Sequence, residues 1–158
     1  GFEITSMDLS YNALQKGISL FKSLSLNAKF TLGDLFHIPI QDEQFDLVFN
    51  QGVMEHFRLA KMDASLGVKE MMRVLKKNGT LVILVPAYFS PLYFIYSFFK
   101  ILKLVDKYWP YTDQDFLHKH ELREMMENAG CKNIVVRRVW SSFFFSMIGY
   151  CTKIDEDK

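Results

Sequence analysis

"FDLVFNQGVMEHF", residues 45–57, is the stretch on which the fold turns. Its first half is an apolar strand built on Phe45, Leu47, Val48 and Phe49, and its second half is polar, with Asn50, Gln51 and Gly52 followed by Glu55 beside His56. Open α/β sheets bind ligands in the crevice beyond the carboxyl ends of their strands. A buried strand that delivers polar groups at its carboxyl end therefore predicts such a sheet.

Downstream, the apolar positions Val68, Met71, Met72 and Leu75 predict a helix from about Asp63 to Lys76, with Lys76 and Lys77 in the last turn and Gly79 as its stop. "TLVILV", Thr80 to Val85, is a continuous apolar run ended by Pro86, the pattern of a strand covered on both faces. Leu122, Met125, Met126 and Ala129 repeat the helical spacing before Gly130. The runs "KNIVVRRVW" and "FFFSMIGYCTK" follow, separated only by Ser141 and Ser142. A link that short predicts an antiparallel pair, because a parallel pair needs a crossover of about a dozen residues.

Upstream, Phe2 to Met7 reads as a strand ending in Asp8, and Ser10 caps a helix whose apolar side is Leu14, Ile18 and Phe21. Lys29 to Leu32 is a further strand, closed by Gly33 and Asp34. Strand and helix alternate, which predicts a mostly parallel sheet.

The 158 residues suffice for one domain, and a 49% hydrophobic content supplies its core. The formal charge of +1 leaves no footprint for nucleic acid. Cys131 and Cys151 lack metal-ligand spacing and no secretory signal stands out, so the expectation is a reducing, cytoplasmic setting without a metal.

Three strands end in Asp8, Asp34 and Asn50-Gln51-Gly52, so the sheet is expected to present all of these at one rim. An acid at the end of a second strand can accept hydrogen bonds from both hydroxyls of a ribose. Asp8 fits that role, and it equally fits a plain capping role for the helix after it.

"MDLS", "GDLFHIPIQDEQFDLVFNQGVMEHF", "EMMRVLKKNGTLVILVP" and "HELREMMENAGCKNIVV" together resemble the successive motifs of class I S-adenosylmethionine-dependent methyltransferases of the small-molecule, type 11-like kind. The resemblance runs in order along nearly the whole chain. It implies a Rossmann-like, mostly parallel sheet with helices on both faces and a closing antiparallel pair, with S-adenosyl-L-methionine as cofactor and a small molecule as methyl acceptor. By position it implies that Asp8 binds the ribose hydroxyls with Leu9 against the adenine. It places Asp34 and the Leu35 backbone at the adenine amino group, and Asn50, Gln51 and Gly52 toward the methionine part. His56 matches the histidine of a Glu-His pair. It is a candidate base for an acceptor that must lose a proton, against a plain structural role.

One element of the resemblance is missing: a first strand followed by a glycine-rich turn. No G-x-G pattern occurs in the chain. In the family's order that strand lies between the strands ending at Asp8 and Asn50, and its loss leaves two rows of unpaired backbone groups. The expectation is a truncated domain over 1–158 whose missing strand comes from another chain, by oligomerisation or strand exchange, or a sheet that closes differently. Two other readings follow: a catalytically inactive methyltransferase-like interaction module, and a nicotinamide-dependent oxidoreductase.

Ten of the 24 aromatic residues fall between Tyr88 and Tyr111 and mark an insertion at about 87–112. Pro86, Pro91, Lys100 and Lys103 leave too short an apolar run for a bilayer span of about 20 residues. Three readings remain: a lid over an apolar or aromatic acceptor, an amphipathic helix in peripheral contact with a membrane, and ordinary core. The lid reading makes Tyr88, Tyr93, Tyr96, Trp109 and Tyr111 the polar tips of the acceptor pocket. His118 and His120, at its border, are read as solvent-exposed.

Overall fold

The structure, a computed structural model, describes residues 1–109, 115–142 and 145–154. They form two compact units, Gly1–Gln41 and Asp42–Lys158.

The first unit is one strand-helix-strand turn: β1 (Thr5–Asp8), α1 (Tyr11–Ser23) and β2 (Lys29–Leu32). The two strands are parallel, with Thr5 opposite Lys29 and Asp8 opposite Leu32. Ser10 caps α1 as its position predicts, its Oγ accepting from Ala13 N at 3.3 Å. Leu14 is buried and Phe21 meets Phe30 edge-on, centroids 5.5 Å apart. The first strand starts at Thr5, not at Phe2. Its ladder opens with the bond from Lys29 N to Ile4 O, so the residues before Ile4 lie beyond the reach of β2.

The second unit runs β3 (Phe45–Gln51), α2 (Met54–Leu59), α3 (Ala64–Val74), β4 (Leu75–Pro86), α4 (Pro91–Ile101), α5 (Val105–Tyr108), α6 (Lys119–Asn128), β5 (Val135–Arg138) and β6 (Ser146–Thr152). Its sheet has the order β3-β4-β6-β5. β3 and β4 are parallel, whereas β6 is antiparallel to both β4 and β5. The closing antiparallel pair is thus present, joined through a 3₁₀ turn at Trp140–Ser142.

Helix α3 ends at Val74, two residues before the predicted end, and Lys76 and Lys77 lie outside it. Leu75 is already extended (φ −80°, ψ 132°) and pairs with Phe45. The turn that Gly79 was expected to supply falls on Asn78, at φ +61°. Gly79 is required for another reason: a Cβ there would lie 2.8 Å from Leu75 Cδ1 and 2.9 Å from Lys76 O. The basic residue of the last turn is Arg73, whose guanidinium bonds Glu70 at 2.8 Å and Asp42 at 2.6 Å.

Leu81, Ile83 and Val85 of β4 are at most 1% exposed. They share the sheet face of Met147 and Cys151 and form the core with Val68 and Met71 of α3 and Leu122 and Met126 of α6. The opposite face differs from the expectation of a strand covered on both sides. Register places Leu47 and Phe49 in line with Val82, Leu84, Ile148 and Tyr150 there, and Leu47 and Phe49 are 57% and 56% exposed. An apolar sheet face is thus left half open.

Candidate functional site

In the first unit, Asp8 stands at the carboxyl end of β1 and its Oδ1 accepts from Ser10 N at 2.7 Å. The carboxylate thus helps to start α1. Leu9, beside it, is exposed. Asp34 makes a similar local bond, Oδ1 accepting from Phe36 N at 2.9 Å, while its carbonyl accepts from His37 N at 3.1 Å. These bonds fix a tight turn around Leu35 after β2.

In the second unit the polar end of β3 is pinned to its neighbour by the bond from Gly52 N to Leu84 O at 3.2 Å. Gly52 sits at φ +69°, a left-handed conformation that favours glycine. An added Cβ would meet only Glu55 Oε1, at 3.8 Å. Gln51 is exposed and Asn50 is buried. His56 opens α2 with an exposed side chain, its backbone N–H donating to Val53 O at 3.1 Å.

Two oxygens at this strand end lack what burial demands. Asn50 Oδ1 and Glu55 Oε2 are buried without a hydrogen-bond partner. Nearly all buried polar atoms in native proteins are satisfied, so a pair of orphaned acceptors needs an explanation. Glu55 is 2% exposed. Burial holds its carboxyl above the ordinary range, against the opposing pull of its own backbone and of His56. Sequence reasoning passed over Glu55 in favour of its neighbour; the available signal was a carboxylate in the first turn of a helix behind the buried Met54.

The aromatic insertion gathers its candidate residues in two clusters. The hydroxyls of Tyr88 and Tyr93 are 2.7 Å apart, and the Tyr88 ring lies against His118, tilted by 34°, with centroids 4.0 Å apart. Tyr96 meets Trp109 at 5.2 Å, and Phe116 joins the clusters at 5.6 Å from Tyr93 and 5.5 Å from Tyr96. Tyr111 lies outside the described residues. His118 is half-buried in this stack, contrary to the expectation of an exposed imidazole. No residue of α4 is fully buried, and Phe94, Phe98 and Ile101 are 58%, 60% and 79% exposed, so the helix is not ordinary core.

The model of the methyltransferase domain family matches residues 1–83. The chain belongs to that family. A demethylmenaquinone methyltransferase of Staphylococcus aureus strain JH9 is 29% identical over 167 residues, covering 96% of this chain and 66% of the relative. The chain thus spans 66% of the length of the curated relatives it matches. A solved S-adenosylmethionine-dependent methyltransferase of Methanosarcina mazei superposes with a TM-score of 0.72 at 19% identity, over 99% of this chain and 84% of that one. A putative methyltransferase of Bacillus halodurans gives 0.69 at 16% identity, over 98% and 84%. At these identities the likeness is one of fold, and that fold is the Rossmann-like methyltransferase fold.

Membership makes S-adenosylmethionine the methyltransferase domain's cofactor. The residues present fit it at one end: the orphaned Asn50 Oδ1 and Glu55 Oε2 are acceptors awaiting a donor, and the methionine part carries a protonated amine. Membership also decides against the oxidoreductase reading. Lys100 Nζ lies 6.0 Å from the centre of the Tyr96 ring. Among the described residues no helix is long and apolar enough to cross a membrane.

Proposed function

We propose that the methyltransferase domain transfers the methyl of S-adenosylmethionine to a small acceptor with an aromatic or apolar body, as part of a longer protein. The observation that carries this reading is the pair of buried, unsatisfied acceptors at the carboxyl end of β3, Asn50 Oδ1 and Glu55 Oε2. In the larger unit, Asn50 and Glu55 receive the amino group of the methionine part and Gly52 leaves room for its backbone; in the smaller unit, Asp8 and Asp34 are the residues read for the ribose and the adenine. Bound there, the cofactor supplies an electrophilic methyl on a sulfonium. The protein's remaining work is to hold an acceptor atom in line with it. His56, exposed at the start of α2, takes the acceptor's proton where one must leave.

The acceptor's character is supported by the exposed aromatic surface of the insertion and by the name of the relatives, which act on demethylmenaquinone, a quinone. α4, with Lys100 in its last turn and Lys103 just past its end, also suits peripheral contact with a membrane, from which an apolar acceptor is drawn.

The longer protein is supported by two further observations. Among the described residues β3 pairs on one edge only, with β4, and β1 only with β2. On the sheet face of Val82 and Leu84, Leu47 and Phe49 are more than half exposed, and a mostly parallel sheet is stable with both faces covered. A strand and a helix, from upstream sequence or from a second copy, complete the sheet. The inactive interaction module remains the competing reading, on the missing glycine-rich turn.

The test is transfer of a tritiated methyl from S-adenosylmethionine by an upstream-extended form of the chain. The acceptors are demethylmenaquinone, a panel of smaller aromatic compounds and, as control, a glycan. Label in an aromatic acceptor is expected. Label in none, with the extended form folded and binding S-adenosylhomocysteine, favours the inactive module.

A further inference from the structure

In the larger unit, α4 is held from one side. The rings of Tyr93 and Tyr96 meet Phe116, at 5.6 and 5.5 Å, and those of Tyr96 and Phe99 meet the buried Trp109, at 5.2 and 6.2 Å. The start of the helix is fixed as well. Ser90 caps its first turn, and Arg138 donates to the carbonyls of Tyr88, at 2.9 Å, and Phe89, at 3.1 Å.

The other side is apolar and open. Phe94, Phe98, Ile101 and Leu102 stand at i, i+4, i+7 and i+8 and so share one side of the helix. They are 58%, 60%, 79% and 47% exposed. Single exposed apolar residues are ordinary, whereas a contiguous row of them marks a binding surface. Tyr93, Tyr96 and Phe99 already supply the packing of α4 on its unit, so the row is free for something else.

Charge names what covers it. Between Ala87 and Tyr108 stand three lysines, Lys100, Lys103 and Lys107, and one acid, Asp106. All three lysines are exposed, and they gather at the carboxyl end of the row. A second copy of the chain would bring the same lysines to the contact, like charge against like. The headgroups of an anionic bilayer meet them with opposite charge, while the acyl boundary takes up the phenyl and aliphatic side chains. Length excludes a span: α4 has 11 residues, against the 20 or so that a bilayer needs. Because its inner side holds α4 already folded, binding loses little chain freedom.

We infer that α4 lies in the plane of an anionic lipid surface, with Phe94, Phe98 and Ile101 in the acyl boundary and Lys100, Lys103 and Lys107 at the headgroups. This rests on the membrane contact proposed above and adds to it the charge of the lipid, the inserted side chains and the orientation of the helix.

The test is co-sedimentation of the chain with vesicles of phosphatidylcholine alone and of phosphatidylcholine mixed equally with phosphatidylglycerol. Binding to the anionic vesicles is expected to exceed binding to the neutral ones and to fall as salt rises. The variant Lys100→Gln/Lys103→Gln/Lys107→Gln should bind the anionic vesicles about tenfold more weakly or worse, since a lysine near such a surface is worth about fivefold. The control Lys16→Gln/Lys22→Gln/Lys29→Gln makes the same change of charge in the smaller unit and should bind as the parent does. Phe98→Trp reports insertion: relative to the parent, its emission should shift to the blue on binding and be quenched by lipids brominated on their acyl chains. No binding to the anionic vesicles, equal weakening in the control, or no added quenching overturns the inference. So does a change of solution mass in Phe98→Ser/Ile101→Ser with sedimentation unaltered, which assigns the row to a second copy. Methyl transfer by the upstream-extended form is measured on a water-soluble aromatic acceptor without vesicles, so that reading and this inference fail separately.

Discussion

The hydroxyls of Tyr88 and Tyr93 lie 2.7 Å apart, with ring centroids 4.1 Å apart. Tyr88 belongs to the exit of β4 and Tyr93 to the first turn of α4, so the pair fixes the insertion to the sheet at its first opportunity. Ser90 adds to this joint: it is fully buried and its Oγ accepts from Tyr93 N at 3.1 Å. The bond from Tyr88 holds the Tyr93 phenol below the ordinary tyrosine range, because it favours the phenolate.

Replacing Tyr88 with Phe should therefore move the titration of Tyr93 back up toward about 10, the ordinary tyrosine value. Ultraviolet difference spectra against pH measure this in a variant that also lacks Tyr96. An unchanged titration of Tyr93 would show that the hydroxyl pair does not exist in solution.

Glu55 gives a pH-dependent prediction with a definite sign. Its carboxyl titrates higher in the folded chain than the ordinary value near 4.5, through burial. The folded state thus holds the proton more tightly than the unfolded state. The stabilisation is complete below that ordinary value and is lost as pH rises through the folded value. Glu55→Gln should be more stable than the parent at pH 7 and no more stable at about pH 4. Urea unfolding at both pH values decides it, and an equal loss at both would contradict the buried carboxylate.

Beneath β6, a Cβ on Gly149 would lie 2.8 Å from Met126 Sδ and 3.0 Å from Leu122 Cδ2. Leu122 and Met126 are fully buried, so there is little free space to take it up. Gly149→Ala should cost about 1–3 kcal/mol, and Leu122→Ala about 2–5 kcal/mol. The double variant should cost less than the sum, since one change makes the room that the other needs. Strict additivity in urea melts would contradict this packing.

The exposed stripe of α4 behaves differently from a core helix. Phe98 and Ile101 are 60% and 79% exposed, so changing both to Ser should alter stability by no more than roughly 0.5 kcal/mol each. The same variant should lose association with vesicles of anionic lipid, measured by co-sedimentation. A large loss of stability would return α4 to the core, and unchanged sedimentation would remove the membrane contact.

Much of this architecture was legible in residue order alone. Period-2 and period-3.6 patterns located the strands and the main helices because burial enforces them, and Ser10 announced its helix through a local bond. The end of α3 was not legible. The 75–79 turn depends on a pairing of Leu75 with Phe45, 30 residues away, and on the close approach of Gly79 to Leu75 and Lys76, which no local pattern encodes. His118 was misjudged for the same kind of reason. A histidine before a helix reads as a surface residue until the fold places Tyr88 beside it. Asp8 and Asp34 were legible as strand-end acids, and the turns they cap, Ser10 and Phe36, are as local as the sequence suggests.

The most direct measurement is calorimetric titration of S-adenosylhomocysteine into the chain and into a form extended upstream by roughly 30 residues or more, the size of a strand-helix-strand unit. The extended form should bind, and Asn50→Leu within it should weaken binding about tenfold or more by removing an acceptor for the amino group. Binding by neither form would contradict the assignment of the β3 strand end to the cofactor.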